Sequence, residues 1–211
     1  MQKDIIAKAL HQLKKDTHLK SLIARFPEPE FDRGQKGMIP FNALIRAIVY
    51  QQLSGKAART ILDRFLALYP KSRFPTPDEL LKTPEARIRS AGISGQKASY
   101  LRDLAEKFLD GTVNPKRFAK MTDGEIYEHV VQVKGVGPWT TDMFLMFTLG
   151  RPDVLPTGDL GIQKGMQRIF KLRVLPTPEK MRELAEAWRP YRTVACWYLW
   201  RLSDEGNKNR S

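Results

Sequence analysis

The chain has 211 residues, 42% hydrophobic and 28% charged, a balance that excludes intrinsic disorder and suits one ordinary domain or two small lobes. Lys and Arg number 36 against 23 Asp and Glu, a formal net charge of +13, so an anionic partner is expected unless the basic surface serves only solubility. The single cysteine, Cys196, excludes an internal disulfide framework and any four-cysteine zinc or iron–sulfur site, and fits a reducing compartment: cytoplasm and nucleoid, or the nucleus of a eukaryote.

In chain order, the N-terminal stretch MQKDIIAKALHQLKK mixes charges with apolar residues at helical spacing. It has no central apolar region or cleavage site, so no signal peptide is expected. Phe26 to Pro40 (FPEPEFDRGQKGMIP) is irregular and marks the front lobe boundary. Phe41, Leu44, Ile45, Ile48 and Val49 form one buried helix face, and Ala58, Ile61, Leu62, Phe65 and Leu66 repeat it. Thr76-Pro77-Asp78-Glu79 is a capping box, and Thr83-Pro84 and Thr177-Pro178 open helices with proline at the first helical position. Leu101, Leu104, Ala105 and Phe108 form a further face, stopped by Gly111; Gly92 and Gly150 are further stops. Thr122 with Glu125 caps a helix carrying Tyr127, Val130 and Val131. Pro190 splits the C-terminal helical stretch, and the tail DEGNKNRS reads as frayed.

About ten helices and no strands are predicted, an all-α fold. A central lobe is expected over 40–150, and a second lobe from 1–39 together with 157–211. The longest apolar run, Met143 to Leu149, is far short of the ~20 residues that span a bilayer.

The strongest chemical signal is Val133-Lys134-Gly135-Val136-Gly137-Pro138-Trp139-Thr140-Thr141. It reads as helix, glycine reversal and helix, with positive φ expected at the glycines. The second helix presents backbone N–H groups, from Gly135 through Gly137 and Thr140, that suit a phosphate, and Lys134 adds positive charge beside them. No strand precedes the motif and no third glycine follows, so it is not a dinucleotide fingerprint. Asp159 follows 24 residues after Gly135, at a helix start behind a Pro/Gly loop. Alone it reads as an ordinary N-cap. Beside a DNA backbone, a carboxylate costs binding through like-charge repulsion unless it does chemistry.

These two motifs, in order with Ile48-Val49-Tyr50-Gln51-Gln52-Leu53-Ser54-Gly55-Lys56-Ala57-Ala58 and Trp188-Arg189-Pro190-Tyr191-Arg192-Thr193, resemble the helix–hairpin–helix DNA glycosylase superfamily. The alkylated-purine, 3-methyladenine DNA glycosylase II branch is the nearest in pattern. The resemblance spans roughly Met38 to Trp200. It implies two helical lobes with a DNA-binding cleft between them, and hydrolysis of the N-glycosidic bond of a flipped alkylated purine. It assigns the catalytic carboxylate to Asp159 and the minor-groove wedge to Leu53, with Gln51 and Gln52 against exposed base edges and Lys56 near a phosphate. Trp139 and Tyr191 match aromatic base-pocket positions, and Met143 is a further lining candidate. Aromatic faces suit 3-methyladenine or 7-methylguanine because such rings are cationic.

Relatives that also cleave the backbone carry a lysine where this chain has Trp139, so the resemblance points to base removal without lyase activity. The N-terminal β-rich domain of some alkylation glycosylases is not expected. No cofactor is required. A structural Na+ or K+ held by the backbone carbonyls of Val131, Val133 and Val136 is an option the resemblance leaves open. The implied partner is double-stranded DNA carrying alkylated bases, with no membrane role and a monomeric state.

The residues themselves leave other readings open: Leu53 as core, Lys56 as solvated, Met143 as packing. Trp188, Trp197 and Trp200 read as core, as does Cys196. His11, His18 and His129 have no ligand spacing, and Ser54 has no nucleophile's partners. The competing functions are a non-catalytic DNA-damage-binding protein of the same fold, a bifunctional glycosylase/lyase on oxidised bases, and a basic helical protein that binds RNA or membrane.

Overall fold

The computed structural model describes residues 1–31, 38–69 and 74–208, with side chains to 205. Among them are twelve α-helices, two 3₁₀ turns and no strand. The helices are α1 (Lys3–Leu13), α2 (Leu19–Arg25), α3 (Pro40–Tyr50), α4 (Gly55–Ala67), α5 (Pro77–Lys82), α6 (Glu85–Ser90), α7 (Gly95–Leu109), α8 (Asp123–Val130), α9 (Pro138–Phe147), α10 (Leu160–Ile169), α11 (Pro178–Leu184) and α12 (Arg192–Lys208). None of the described helices is long and apolar enough to cross a membrane. The chain divides into two compact units, Gly37–Phe144 and Met1–Lys36 with Leu145–Ser211.

In the 37–144 unit, α3 packs on α4 and α7, and α5 packs on α7. The predicted face of α3 is the core: Phe41, Leu44, Ile45, Ile48 and Val49 are all at most 4% exposed. Each such side chain contributes about 1.5–3 kcal/mol by leaving water. Leu101, Leu104 and Ala105 of α7 are fully buried, and Phe108 meets Phe41 edge-on at 4.9 Å. Both capping boxes form, with the Thr76 and Thr122 hydroxyls on the Glu79 and Glu125 amides and the glutamates reaching back. That pairing satisfies orphan donors at both helix starts.

In the other unit, α12 packs on α10, α2 and α1. Trp188 and Tyr198 are almost wholly buried there. The Trp188 indole donates to Asp16 at 3.2 Å, while the other Asp16 oxygen accepts the His18 and Leu19 amides at the start of α2. The irregular stretch after α2 is docked on α12. Trp197 Nε1 donates to the Glu30 carbonyl, and the Tyr198 hydroxyl to that of Pro27. Residues 32–37 of the expected front boundary lie outside the described residues.

Four local expectations differ from the structure. The described α-helices number twelve against about ten expected. Pro84 is itself the N-cap of α6, and Thr83 closes α5. The tail is helical through Lys208, because α12 simply continues. The unit boundary at 144/145 falls inside α9 rather than in the 150–158 loop. The cause is in the side chains: Phe144 meets Phe118 in one unit, whereas Phe147 meets Phe31 and Trp200 in the other.

Candidate functional site

The hairpin lies in the 37–144 unit. After α8, tight turns run from Val133 N–H to the Val130 carbonyl and from Val136 N–H to the Val133 carbonyl. The buried side chains of Val133 and Val136 anchor them. Thr141 N–H to the Gly137 carbonyl, 3.0 Å, begins the ladder of α9. The Thr140 amide therefore precedes that ladder, at the positive end of the helix dipole. The Thr140 side chain is buried, so only its backbone is available to an anion. The two glycines differ, against the expectation of positive φ at both. Gly135 has φ +78, and a Cβ on it would stand 2.1 Å from the Tyr100 ring. Gly137 is not left-handed, and a Cβ there would meet no atom within 4 Å.

Lys134 extends into solvent with 68% of its side chain exposed, and its Nζ lies 3.5 Å from the buried Asp103 carboxylate. The same carboxylate accepts the Lys134 backbone N–H at 2.8 Å. The Val133 carbonyl already accepts one hydrogen bond.

Leu53 stands in the α3–α4 loop and is 37% exposed, so it is not a core leucine. Its neighbour Gln52 holds a left-handed backbone, φ +56, a conformation that costs a non-glycine residue energy and clusters at functional sites. The Gln51 amide donates to the Gly135 carbonyl at 2.7 Å, which ties this loop to the hairpin. Lys97 Nζ donates to the carbonyls of Val49 and Gln51 at 2.8 and 2.7 Å, and burial pulls its ammonium below the usual lysine range. Ser54 is the N-cap of α4 and accepts the Ala57 amide. Lys56 is exposed on the first turn of α4, where it lines a shallow concavity of about 420 Å³ with Thr60 and Arg64. Trp139 is 49% exposed. Half-buried Met143 lies one turn further along α9 and shares its face.

Asp159 belongs to the other unit. It is 9% exposed and is the N-cap of α10. One oxygen, Oδ1, accepts both the Ile162 amide and the Trp200 indole N–H, each at 2.9 Å. The loop that leads to it is pinned. The Arg192 guanidinium forks onto Asp153 at 2.7 and 2.9 Å, Arg189 adds a third contact at 2.8 Å, and the Thr193 hydroxyl bridges Arg151 and Val154. Gln163 holds the Thr157 carbonyl. Such bidentate Arg–carboxylate pairs fix geometry as well as adding energy. Half-buried Tyr191 precedes α12, its N–H on the Trp188 carbonyl and its own carbonyl accepting the Val194 and Ala195 amides.

Trp200 is the residue that sequence reasoning missed. It is half-buried and stacked on Phe147 at 5.9 Å, with its polar edge on Asp159. Two glycines permit this. A Cβ at Gly161 would meet the indole at 2.8 Å, and one at Gly165 would meet the Leu199 carbonyl at 2.6 Å. A Gly-x₃-Gly pair on α10, facing an aromatic helix, is the signal that could have found it.

The remaining candidates are structural. The His129 ring bonds the Thr112 carbonyl, His18 packs on Phe170, and Cys196 is buried. Among the described residues no group of His, Cys, Asp or Glu could hold a metal ion.

Residues 45–190 match the HhH-GPD superfamily base excision DNA repair protein family. The chain is 35% identical over 189 residues to DNA-3-methyladenine glycosylase 1 of Schizosaccharomyces pombe, covering 89% of this chain and 83% of that one. A solved structure of the S. pombe 3-methyladenine DNA glycosylase in complex with abasic DNA matches with a TM-score of 0.80 over 92% of this chain and 95% of that chain, at 35% identity. The DNA-3-methyladenine glycosidase of Bacillus halodurans matches with a TM-score of 0.83 at 30% identity, over 95% and 91% of the two chains. With its glycine hairpin and capped aspartate embedded in an all-α fold of this kind, the chain belongs to the HhH-GPD superfamily of base excision DNA repair proteins.

Proposed function

We propose that the chain is a monofunctional DNA glycosylase of base excision repair that releases alkylated purines of the 3-methyladenine and 7-methylguanine type. One observation carries the chemistry: a buried carboxylate, Asp159, is held by two neutral donors on a single oxygen. Those two donors fix the direction of that oxygen. The relatives' names, the +13 charge and the hairpin supply the DNA context.

The target base leaves the stack at a cost of a few kcal/mol. The exposed Leu53 fills the space behind it, while Lys134, the Gly135–Gly137 backbone and the Thr140 amide grip the strand. Lys56 serves a neighbouring phosphate. A Na+ or K+ on the Val131, Val133 and Val136 carbonyls would bridge the hairpin to a phosphate and take no part in bond breaking. Each aromatic candidate, Trp139 flanked by Met143 in one unit and Tyr191 in the other, has a face that attracts a cationic purine by ~0.5–2 kcal/mol. The C1′–N bond then breaks with its electron pair leaving on the base, whose ring charge it neutralises. Asp159 faces the positive sugar, or takes the proton of the water whose oxygen bonds to C1′.

Asp159→Asn tests this. Asparagine is as good an N-cap and keeps an oxygen for both donors. The fold and duplex binding are expected to persist while base release from methylated DNA falls about 10²–10³-fold. Chromatography of the freed bases measures it, and undiminished release would end the assignment. The α9 helix carries no lysine, so borohydride is expected to trap no protein–DNA adduct. A trapped adduct would establish a lyase.

A further inference from the structure

Lys97, Tyr100 and Asp103 stand at i, i+3 and i+6 of α7 and form one stripe. Each grips a different point of the two loops that the proposed function uses. The Lys97 ammonium holds the last carbonyls of the α3 end, those of Val49 and Gln51, at 2.8 and 2.7 Å. The Tyr100 ring fills the space where Gly135 would carry a side chain. Asp103 accepts the Lys134 amide at 2.8 Å. The Gln51 side chain closes the circuit by donating to the Gly135 carbonyl at 2.7 Å.

Packing alone does not ask for this chemistry. A buried charge costs more than an apolar residue of the same size unless its partners are well placed. Asp103 is 7% exposed in a unit where Leu101, Leu104 and Ala105 show how α7 packs without charge. Both charges meet backbone atoms at the ends of these loops: Lys97 holds the Val49 carbonyl in the last turn of α3, where helix carbonyls lack an intrahelical partner, and the Gln51 carbonyl just beyond it, and Asp103 holds the Lys134 amide. Gln52 adds a left-handed backbone, which persists only where its surroundings over-determine it.

We propose that the Lys97–Tyr100–Asp103 stripe is a positioning frame that fixes the Leu53 loop in register with the hairpin, so that displacement of the base and the grip on the strand fall on the same nucleotide. Lys97 and Asp103 are positioning residues: they act through Gln51–Leu53 and through Lys134–Gly137. The inference rests on the glycosylase reading and extends it.

The test compares Lys97→Met, which keeps the length and loses the donors, with Lys97→Arg, which restores them. Three readouts are taken: affinity for an abasic-site duplex, single-turnover base release from methylated duplex, and the fluorescence of a 2-aminopurine next to the abasic site, which rises as stacking is broken. Lys97→Met is expected to bind as wild type does, to release base about ten- to a hundredfold more slowly, the scale of a small remote misplacement, and to lose the fluorescence rise. Lys97→Arg is expected to regain both. Loss of rate and affinity in parallel, or wild-type behaviour of Lys97→Met, overturns the frame while the glycosylase reading stands. A wild-type protein that releases no base overturns both. If Lys97→Met does not fold, Lys97→Gln, which keeps a polar head but falls short of both carbonyls, is held to the same readouts.

Discussion

Replacing Gly161 by alanine sets two effects against each other. Alanine is the better helix former by about 0.8–1 kcal/mol, so an unhindered change in α10 would stabilise the protein. The new Cβ is not unhindered: it meets Trp200 Cδ1 at 2.8 Å, Nε1 at 3.2 Å and Asp159 Oδ1 at 3.1 Å. The indole must move, yet it is stacked on Phe147 and carried by a helix packed tightly on α10. An off-rotamer indole costs about 0.5–1.5 kcal/mol, and a hydrogen bond to a charged group is worth about 1.5–3 kcal/mol. The net is a loss of roughly 1–3.5 kcal/mol. At about 2–4 °C per kcal/mol for a chain of this size, Tm falls by several degrees. Base release falls with it, because Asp159 loses the donor that orients it. Thermal melts followed by circular dichroism and single-turnover release are measured for Gly161→Ala, Trp200→Phe and the double variant. Phenylalanine keeps a ring against Phe147 and drops the N–H. The singles act through one bond, so the double variant is expected to be no worse than the poorer single. A Gly161→Ala protein more stable than wild type, with undiminished release, would refute the reasoning. Additive losses would show that the methyl acts by another route.

The two hairpin glycines should behave in opposite ways. Gly135→Ala is strained by its φ of +78 and meets the Tyr100 ring, so urea melts should show a loss above about 1 kcal/mol. Gly137→Ala meets nothing within 4 Å; its stability should stay within about 0.5 kcal/mol, while duplex affinity should drop if, as proposed, a phosphate approaches the backbone there. Burial pushes the Tyr198 hydroxyl from the ordinary 10.0 up to about 12. The unfolded chain therefore loses that proton first, and the stability it confers is complete below pH 10 and drains away as pH climbs from 10 to 12. Melts across that range should fall steeply in wild type and less steeply in Tyr198→Phe; equal slopes would contradict the shift.

What could be read from the sequence was what neighbouring residues decide among themselves. The α3 face repeats every three or four positions, and Thr122 and Glu125 cap a helix three residues apart, so both are visible without knowing the fold. Trp200 was hidden because its bond reaches 41 residues back to Asp159, and because a helix reading Trp-Tyr-Leu-Trp looks apolar on every side. Lys97 and Asp103 were hidden for the opposite reason. Charges spaced along a helix ordinarily mark the solvated face, and only burial at 7% distinguishes Asp103 from one of those. The unit boundary inside α9 left no trace, because a helix that supplies side chains to two cores has no break in its pattern.

The acids show how a strongly basic chain arranges negative charge. Asp103 sits against the amide and ammonium of Lys134. Asp153 is taken up by Arg189 and Arg192. In both cases the carboxylate serves as an anchor for a loop, and the cation beside it keeps it from repelling a polyanion. The Oδ1 of Asp159 is bound differently, by a peptide N–H and an indole N–H. Those two neutral donors aim that oxygen. In the role proposed for Asp159, a carboxylate charge weakens the binding of a phosphate backbone and strengthens the binding of a sugar that has become a cation. The difference between those two states is what accelerates a reaction. If the aim of Asp159 is what matters, Trp200→Phe should slow base release while leaving affinity for abasic-site DNA unchanged; a variant that loses both in proportion would mean that the indole serves only to hold α12 on α10.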